Sequence, residues 1–278
     1  MHMYEFMAEI FRNSFMQYAL LACVLASIGC GVIGTYVVVK RIGFLAGGIA
    51  HSVLAGMGIA IFLQASPVTG AVIAALMSGV LIGWINLHLR QHEDILIAAF
   101  WSMGMAIGIL FISRIPGYNI DLMSYLFGNI LLVSKRDLYL MLMLDAVIVT
   151  LVFLFYRQFL ATAFDEEFSR LRGLNVEFFY ILLLCTVALT VVLLIQVVGL
   201  ILVLALLILP AATAAQFAAS ILRMMLLAVV FSVVITVSGL LISYTPDLPS
   251  GSTIIVLAGG VYIVTLIAQN LIRKFREI

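Results

Sequence analysis

The stretch YILLLCTVALTVVLLIQVVGLILVLALLILPAATAA, residues 180–215, decides the fold because it carries no charged side chain. A helix needs about 20 apolar residues to cross the ~30 Å hydrocarbon core of a bilayer. The stretch is therefore long enough for two crossings, and only Gln196 and Gly199 interrupt it. It predicts either two short helices or one long helix with a turn.

The whole chain has the same character. Apolar residues make up 65% of its 278 residues, charged residues make up 10%, and the mean hydropathy is +1.28. Soluble domains are nearer half apolar and a quarter charged, and a fold of this length has too little interior to bury so much apolar surface. The sequence also lacks the alternating segments typical of a membrane barrel. We therefore expect an all-α, polytopic transmembrane helix bundle that forms a single domain over residues 1–278.

Apolar blocks close to one bilayer crossing in length recur along the chain. They lie at about 15–39, 43–63, 67–88, 94–113, 138–157, 176–197, 199–218, 222–243 and 252–272. A shorter block at 121–133 is too brief to cross, and it predicts a re-entrant or interfacial segment. The pattern favours nine spans, and a count of eight stays open.

Lys and Arg in short loops predict the orientation, because cytoplasmic loops carry an excess of both. With nine spans, one side of the membrane collects Lys40, Arg41, Arg90, Arg157, Arg170, Arg172, Arg223, Arg273, Lys274 and Arg276. We take that side as cytoplasmic, which puts the N-terminus outside. Arg114, Lys135 and Arg136 violate the assignment. The sequence contains no basic tract that predicts binding to nucleic acid.

Glycines at four-residue spacing predict close helix packing. On a helix, such a pair forms a flat stripe where a second backbone can approach, and this is how helices associate within lipid. The predicted packing glycines are Gly43, Gly47, Gly79, Gly83, Gly104 and Gly108.

Two ionisable residues lie inside predicted spans, where their desolvation has to be compensated. His51 lies on the order of 12 Å from the Lys-Arg end of its span. Imidazole is a common ligand of transition metals, so His51 is either a metal ligand or a packing histidine with a hydrogen-bonded neighbour. Asp145 either pairs with a cation across the bundle or lies on a polar path. Asp121 and Asp247, in loops on the outer side, either form an acidic entrance for cations or are solvated.

The longest polar stretch, from Arg157 to Glu177, contains the pattern of a short helix at about 165–173. Its N-cap is Asp165, acidic residues occupy the positive end of the helix dipole, basic residues occupy the negative end, and a glycine ends it. The residues concerned are Asp165, Glu166, Glu167, Phe168, Arg170 and Gly173. The helix either rests on lipid or docks a soluble partner.

Motifs of catalysis are absent from the sequence. It has no G-x-x-x-x-G-K-[ST] phosphate loop, no H-E-x-x-H and no G-x-S-x-G. We therefore predict no catalytic residue and no permanently bound cofactor. If the chain transports a solute against a gradient, a partner has to hydrolyse the ATP.

Five stretches, in order, resemble the permease subunits of ABC-type manganese, zinc and iron importers. They are GGIAHSVLAGMGIA (47–60), HEDILIAAFWSMGMAIGILFIS (92–113), DLMSYLFGNIL (121–131), GLILVLALLILPAATA (199–214) and DLPSGSTIIVLAG (247–259). The stretch DEEFSRLRGLNVE (165–177) stands where the family has its ATPase-docking loop.

The resemblance implies a multi-pass protein of the bacterial inner membrane. It implies a homodimer with two cytoplasmic ATPase subunits, supplied by an extracytoplasmic metal-binding protein. His51 matches the family's metal-contacting histidine, while the acid common one helical turn earlier is Gly47 here and the proline expected four residues later is Ala55. The implied cargo is zinc, manganese or iron. A permease for an organic chelate (a siderophore or corrinoid) and a non-transporting assembly factor are the alternatives.

Overall fold

The computed structural model describes residues 13–88, 93–115, 128, 130–244 and 248–276. All regular structure in these residues is helical. The helices are α1 (Ser14–Val39), α2 (Gly43–Phe62), α3 (Pro67–His88), α4 (Glu93–Ile112), α5 (Lys135–Leu154), α6 (Tyr156–Phe164), α7 (Glu166–Leu171), α8 (Val176–Val198), α9 (Leu200–Ala215), α10 (Ile221–Tyr244) and α11 (Ser250–Arg276).

Eight of the nine predicted apolar segments each correspond to one helix, and the fifth is divided between α5 and α6, so the all-α bundle is confirmed. Seven helices in the described part of the chain are long and apolar enough to cross a membrane: α1, α2, α3, α5, α8, α10 and α11. The other two, α4 and α9, contribute shorter apolar stretches, Ile97–Ile112 and Leu200–Ala215.

The charge-free stretch forms two helices, α8 and α9, rather than one. Gly199 separates them with φ 77° and ψ 163°, a backbone conformation that side-chain-bearing residues rarely adopt. Gly128 lies against this break, where an added Cβ would overlap the backbone of Val198 and Gly199. The interruption seen in the sequence is therefore a break at which the chain reverses direction between two separate helices.

The fifth predicted span needs a correction at both ends. Helix α5 starts at Lys135 because Ser134 and Asp137 form a capping box, with Asp137 also accepting from the Ser134 backbone at 3.0 Å. It ends at Leu154, and a separate helix, α6, follows where the sequence predicted the end of a span and a loop. Of the predicted short segment at 121–133, residues 130–132 form a 3-10 turn, while 121–127 and 129 lie outside the described residues.

Helix α1 lies at the centre of the bundle and contacts its neighbours through small residues. A Cβ at Gly31 would lie 2.6 Å from the backbone nitrogen of Val229 in α10, and one at Gly34 would overlap the backbone carbonyl oxygen of Leu207 in α9. Such close approaches replace the hydrophobic driving force that is lost in lipid. Ser27 shares a hydrogen bond of 3.3 Å with Thr236 in the same interface.

Contacts at the two ends of α1 fix which loops share a membrane face. At its C-terminal end, Lys40 contacts Glu166 of α7, so α7 lies on the face that the sequence assigns to the cytoplasm. Near its N-terminal end, Lys135 lies over the ring of Tyr18, 5.9 Å from the centroid. Lys135 therefore lies at the opposite end from Lys40 and is a true exception to the charge rule.

Candidate functional site

His51 lies within the bundle and is the ninth residue of α2. The side chain is 6% exposed, and Nδ1 is buried with no hydrogen-bond partner among the described residues. The neighbouring Ser52 hydroxyl donates instead to the Ile49 carbonyl, at 2.6 Å. His51 is therefore not held by the hydrogen-bonded neighbour that a packing histidine would have in this part of the chain.

Trp101 of α4 covers one face of the His51 ring. The two ring centroids are 3.9 Å apart and the planes differ by 18°, which is a stacked arrangement. The same indole also lies over Gly47, where a Cβ atom would sit 3.2 Å from Cζ3 of Trp101. Glycine at 47 thus leaves room for the indole, and a larger residue there would push against it.

Glycines of α4 fix the position of Trp101 relative to His51. A Cβ at Gly104 would lie 2.7 Å from the Ser52 Cα and 3.0 Å from the His51 carbonyl oxygen. One at Gly108 would lie 2.6 Å from the Leu54 carbonyl oxygen. Both glycines face backbone atoms of α2 rather than flexible side chains. Helix α4 therefore packs against α2 in a single register.

The other predicted packing glycines make looser contacts. Gly79 and Gly83 of α3 face α8, where added Cβ atoms would lie 3.3 Å from the Leu184 carbonyl oxygen and 3.0 Å from its Cδ1. Gly43 faces Ile208 of α9, with a corresponding distance of 3.1 Å. These contacts involve side-chain atoms that can shift, except for the carbonyl beside Gly79.

A largely apolar cavity of about 400 Å³ begins beside the His51–Trp101 pair. Its lining comprises Val37, Val38, Arg41, Gly43, Phe44, Gly47, Trp101, Leu204, Ile208 and Ala212. Arg41 and Gly43 lie at the cytoplasmic end of α1 and α2, so the cavity runs from that end to Trp101. His51 itself does not line it.

Asp145 lies in a different interface, between α5, α1 and α8. It is 4% exposed, and neither carboxylate oxygen has a hydrogen-bond partner among the described residues. Its Oδ1 would be 2.7 Å from a Cβ at Gly29, and the Thr190 methyl is the next neighbour of that position. The expected cation partner is absent from the described part of the chain, where the ion pairs join Lys40 to Glu166 and Arg170 to Glu177.

The predicted short helix is confirmed as α7. Asp165 caps it, with Oδ1 accepting from the Phe168 backbone N–H at 2.9 Å. Gly173 ends it at φ 78°, and its N–H donates to the Arg170 carbonyl while that of Leu174 donates to the Ser169 carbonyl. These two bonds form the Schellman motif that glycine allows.

Large apolar side chains of this segment point away from the bundle. Phe164 is 71% exposed, Phe168 49% and Leu171 87%. Arg172 covers part of the Phe168 ring, with the guanidinium carbon 4.7 Å from the centroid. Arg170 lies 3.9 Å from Glu177, on the exposed surface. A capped helix that presents apolar side chains on the cytoplasmic face is suited to contact a soluble protein.

Lys40 connects α7 to the end of α1, next to the turn that begins α2, the helix that carries His51. Its Nζ donates to Oε1 of Glu166 at 2.6 Å and to the Thr162 carbonyl at 2.9 Å. The side chain is only 12% exposed, so the ion pair is shielded from water on the lysine side. Lys40 and Arg41 form the turn into α2, and Arg41 adopts φ 58° to make it.

Sequence reasoning missed Trp101 and Lys40 as candidate site residues. Trp101 is one of two tryptophans in the chain, which is a signal, but nothing in the sequence pairs it with a histidine fifty residues earlier. Lys40 served only to predict orientation. Asp121 and Asp247 lie outside the described residues. Within the described residues, no three His, Cys, Asp or Glu side chains form a group that could hold a metal.

Comparison with known proteins agrees with this arrangement over nearly the whole chain. The family described as the ABC 3 transport family matches residues 12–269. A Chlamydia pneumoniae protein named a probable metal transport system membrane protein is 41% identical, covering 95% of this chain and 94% of its own. The manganese transport system membrane protein MntC of Halalkalibacterium halodurans is 34% identical, covering 92% and 88%.

A solved structure is also similar. It is that of PsaBC from Streptococcus pneumoniae in complex with Fab, with a TM-score of 0.86, 31% identity and 95% of each chain covered. This likeness shows that the two chains share one fold over nearly their whole length. The apolar helices and these relatives place the chain in the bacterial inner membrane as a multi-pass protein. The chain belongs to the ABC 3 transport family and is a membrane permease of the ABC transporter class.

Proposed function

We propose that this permease moves a divalent transition metal ion into the cell by alternating access, as a single domain over residues 1–278. Zinc, manganese and iron are the candidate ions. Relatives named for metal transport and for manganese transport support the proposal and favour manganese among the three. The chelate permease is the less favoured alternative, because the relatives' names refer to metal.

One observation carries the proposal: a buried imidazole on α2 has an unbonded nitrogen inside the bundle. Neutral imidazole binds first-row divalent metals through such a nitrogen. A lone ligand suits a passing ion better than a resident one, since conduction requires release. We propose that His51 is a transient ligand and that, in a homodimer, the His51 side chains of the two copies face each other across the dimer axis. Asp121 and Asp247 are the proposed acidic entrance.

The energy comes from outside the chain in this proposal. Two ATPase subunits dock on the cytoplasmic face, and an extracytoplasmic binding protein delivers the ion. The exposed apolar side chains of α7, together with its charged ends at Glu167 and Arg170, form the docking surface. Closure of the ATPases moves α7, and the Lys40–Glu166 ion pair transmits the movement to the turn into α2.

The test is reconstitution of the permease with its ATPase and its binding protein in liposomes. We expect ATPase activity to rise on addition of binding protein loaded with Mn²⁺ or Zn²⁺, and labelled ion to accumulate inside. His51→Ala should lower uptake at least about tenfold, because the imidazole buried within the described part of the bundle is lost. His88→Ala is the matched control, since His88 is exposed and bonded to the Trp84 carbonyl.

Two outcomes would overturn parts of the proposal. Wild-type uptake by His51→Ala would remove His51 from the pathway. Stimulation by a ferric siderophore or a corrinoid, with none by the free metals, would make the chain a chelate permease. Retention of the ATPase through detergent purification shows that each variant still assembles.

A further inference from the structure

The stacked pair on α2 and α4 separates a histidine from a cavity. Trp101 contributes to the lining of the 400 Å³ cavity, whereas His51, stacked 3.9 Å behind it, does not. Gly47 lies on the same face of α2, one helical turn closer to the cytoplasmic end, and has no side chain to keep the indole away. The indole is therefore the group that stands between the cavity and the imidazole.

The backbone beneath this indole is fixed. Gly104 and Gly108 seat α4 against the backbone of Ser52 and Leu54, so α4 cannot slide or rotate along α2 without a clash. The mobile part is the side chain of Trp101, which is only partly buried. Rotation about its side-chain torsions is faster and less costly than movement of a seated helix.

The cavity offers space beside the indole, since Trp101 is one of its lining residues. Its walls next to Trp101 are Leu204 and Ile208 of α9, which present flexible apolar side chains. An indole that left the stack could enter this space at little desolvation cost, because the lining is largely apolar. Arg41 and Gly43 also line the cavity, so it extends to the end of the helices that the charge pattern assigns to the cytoplasm.

We infer that Trp101 is the cytoplasmic gate of the pathway. Stacked on His51, the indole closes the route from the imidazole to the cytoplasm, and when it swings into the cavity the route opens. This inference rests on the proposed function for the identity of what passes, but the closure itself is a property of the described geometry. Trp101 acts here as a positioning residue, since it controls access to His51 and need not contact the ion.

The test measures access to position 51 from the cytoplasmic side. Cys23, Cys30 and Cys185 are replaced by Ala, His51→Cys is introduced, and the dimer with its ATPase is reconstituted in liposomes. A membrane-impermeant methanethiosulfonate reagent is then applied from the face that exposes α7. We expect Trp101→Ala to speed labelling at least about tenfold, because the closed stack is lost. Trp84→Ala is the matched control, since Trp84 stacks on exposed His88 instead.

An unchanged labelling rate in Trp101→Ala would overturn the gate. If Trp101→Ala does not give folded protein, the labelling rate of Trp101→Phe is compared with that of the Trp84→Ala control instead. The phenyl ring is smaller than the indole, so we expect a labelling rate between those of the closed stack and of Trp101→Ala. Labelling does not depend on which solute is carried. If the His51→Cys background shows the rate difference while the complex with His51 intact moves no metal, the proposed cargo is overturned and the gate stands.

Discussion

The His51–Trp101 pair and the cytoplasmic helix α7 are built in opposite ways. The pair joins residues fifty positions apart, and its geometry depends on two glycines that let one helix backbone touch another. Helix α7 is built from nine consecutive residues, counted from its cap at Asp165 to its stop at Gly173. The first is fixed by tertiary packing and the second by local hydrogen bonds. A substitution in the first should therefore affect the whole bundle, and one in the second should affect only coupling.

The largest expected effect comes from adding a methyl group where α4 meets α2. Gly104→Ala puts a Cβ within 2.7 Å of the Ser52 Cα, so the backbones have to separate. Overpacking of this kind costs about 1–3 kcal/mol or more, and it would also lift Trp101 from His51. We expect a lower thermal unfolding midpoint in detergent and loss of uptake.

Gly259→Ala is the matched control for that change. Gly259 is also helical, and a Cβ there would meet no atom within 4 Å. The control should match wild type. A Gly104→Ala protein with wild-type midpoint and uptake would show that the α2–α4 contact is not as close as described.

A smaller effect, confined to coupling, is expected at the Lys40–Glu166 ion pair. Glu166→Lys puts two cations beside each other at the turn into α2 and should lower uptake about tenfold, equivalent to ~1.4 kcal/mol, while ATP hydrolysis continues. The exchange Lys40→Glu with Glu166→Lys restores the attraction and should recover most of the uptake. The readout is ions moved per ATP hydrolysed.

A double-mutant cycle separates this pair from a general charge effect. The comparison is a charge reversal at Arg170. Its contact with Glu177 is longer than the Lys40–Glu166 ion pair, and both side chains in that contact are exposed. Both reversals together, at Glu166 and Arg170, should uncouple hydrolysis from uptake and leave the membrane fold intact. Failure of the exchanged pair to recover any uptake would argue against transmission through Lys40.

The smallest effect is expected at the end of α7. Gly173→Ala keeps an open environment, since no atom lies within 4 Å of the added Cβ, but forces alanine into φ 78°. The strained backbone costs about 1 kcal/mol of conformational free energy, and it affects only the last turn of α7. We expect a few-fold weaker ATPase binding in a titration, with an unchanged unfolding midpoint of the bundle. A lowered midpoint would show that α7 also supports the spans.

The nine apolar segments were predicted within a few residues, and so was α7 with its caps. Segment positions follow from the length of apolar blocks that lipid demands, and capping depends on residues three to eight positions apart. The predictions failed locally at α5 and α6, because the pattern that ends one helix at Leu154 and begins another at Tyr156 contains no Gly or Pro. The apolar blocks alone therefore gave no signal for that break.

In the candidate site, too, the sequence predicted some features and not others. The sequence identified His51 as an ionisable residue in lipid, but nothing in it predicted the indole stacked on the ring. Asp145 was expected to pair with a cation or to lie on a polar path, and the structure places its carboxylate beside Gly29, with no cation partner among the described residues. Such neighbours come from helices that are distant in the chain, so the spacing of residues along the sequence does not predict these contacts.

The sequence by itself determined that this protein is a bundle of membrane helices with a capped helix on its cytoplasmic side and a histidine inside. Those features depend on hydrophobic length and on hydrogen bonds between near neighbours along the chain. Only the tertiary structure decided that Trp101 closes over His51 and that Lys40 reaches a carboxylate 126 residues away. Within lipid, helix partners are selected by how closely their backbones fit, and that fit exists only once the helices are assembled.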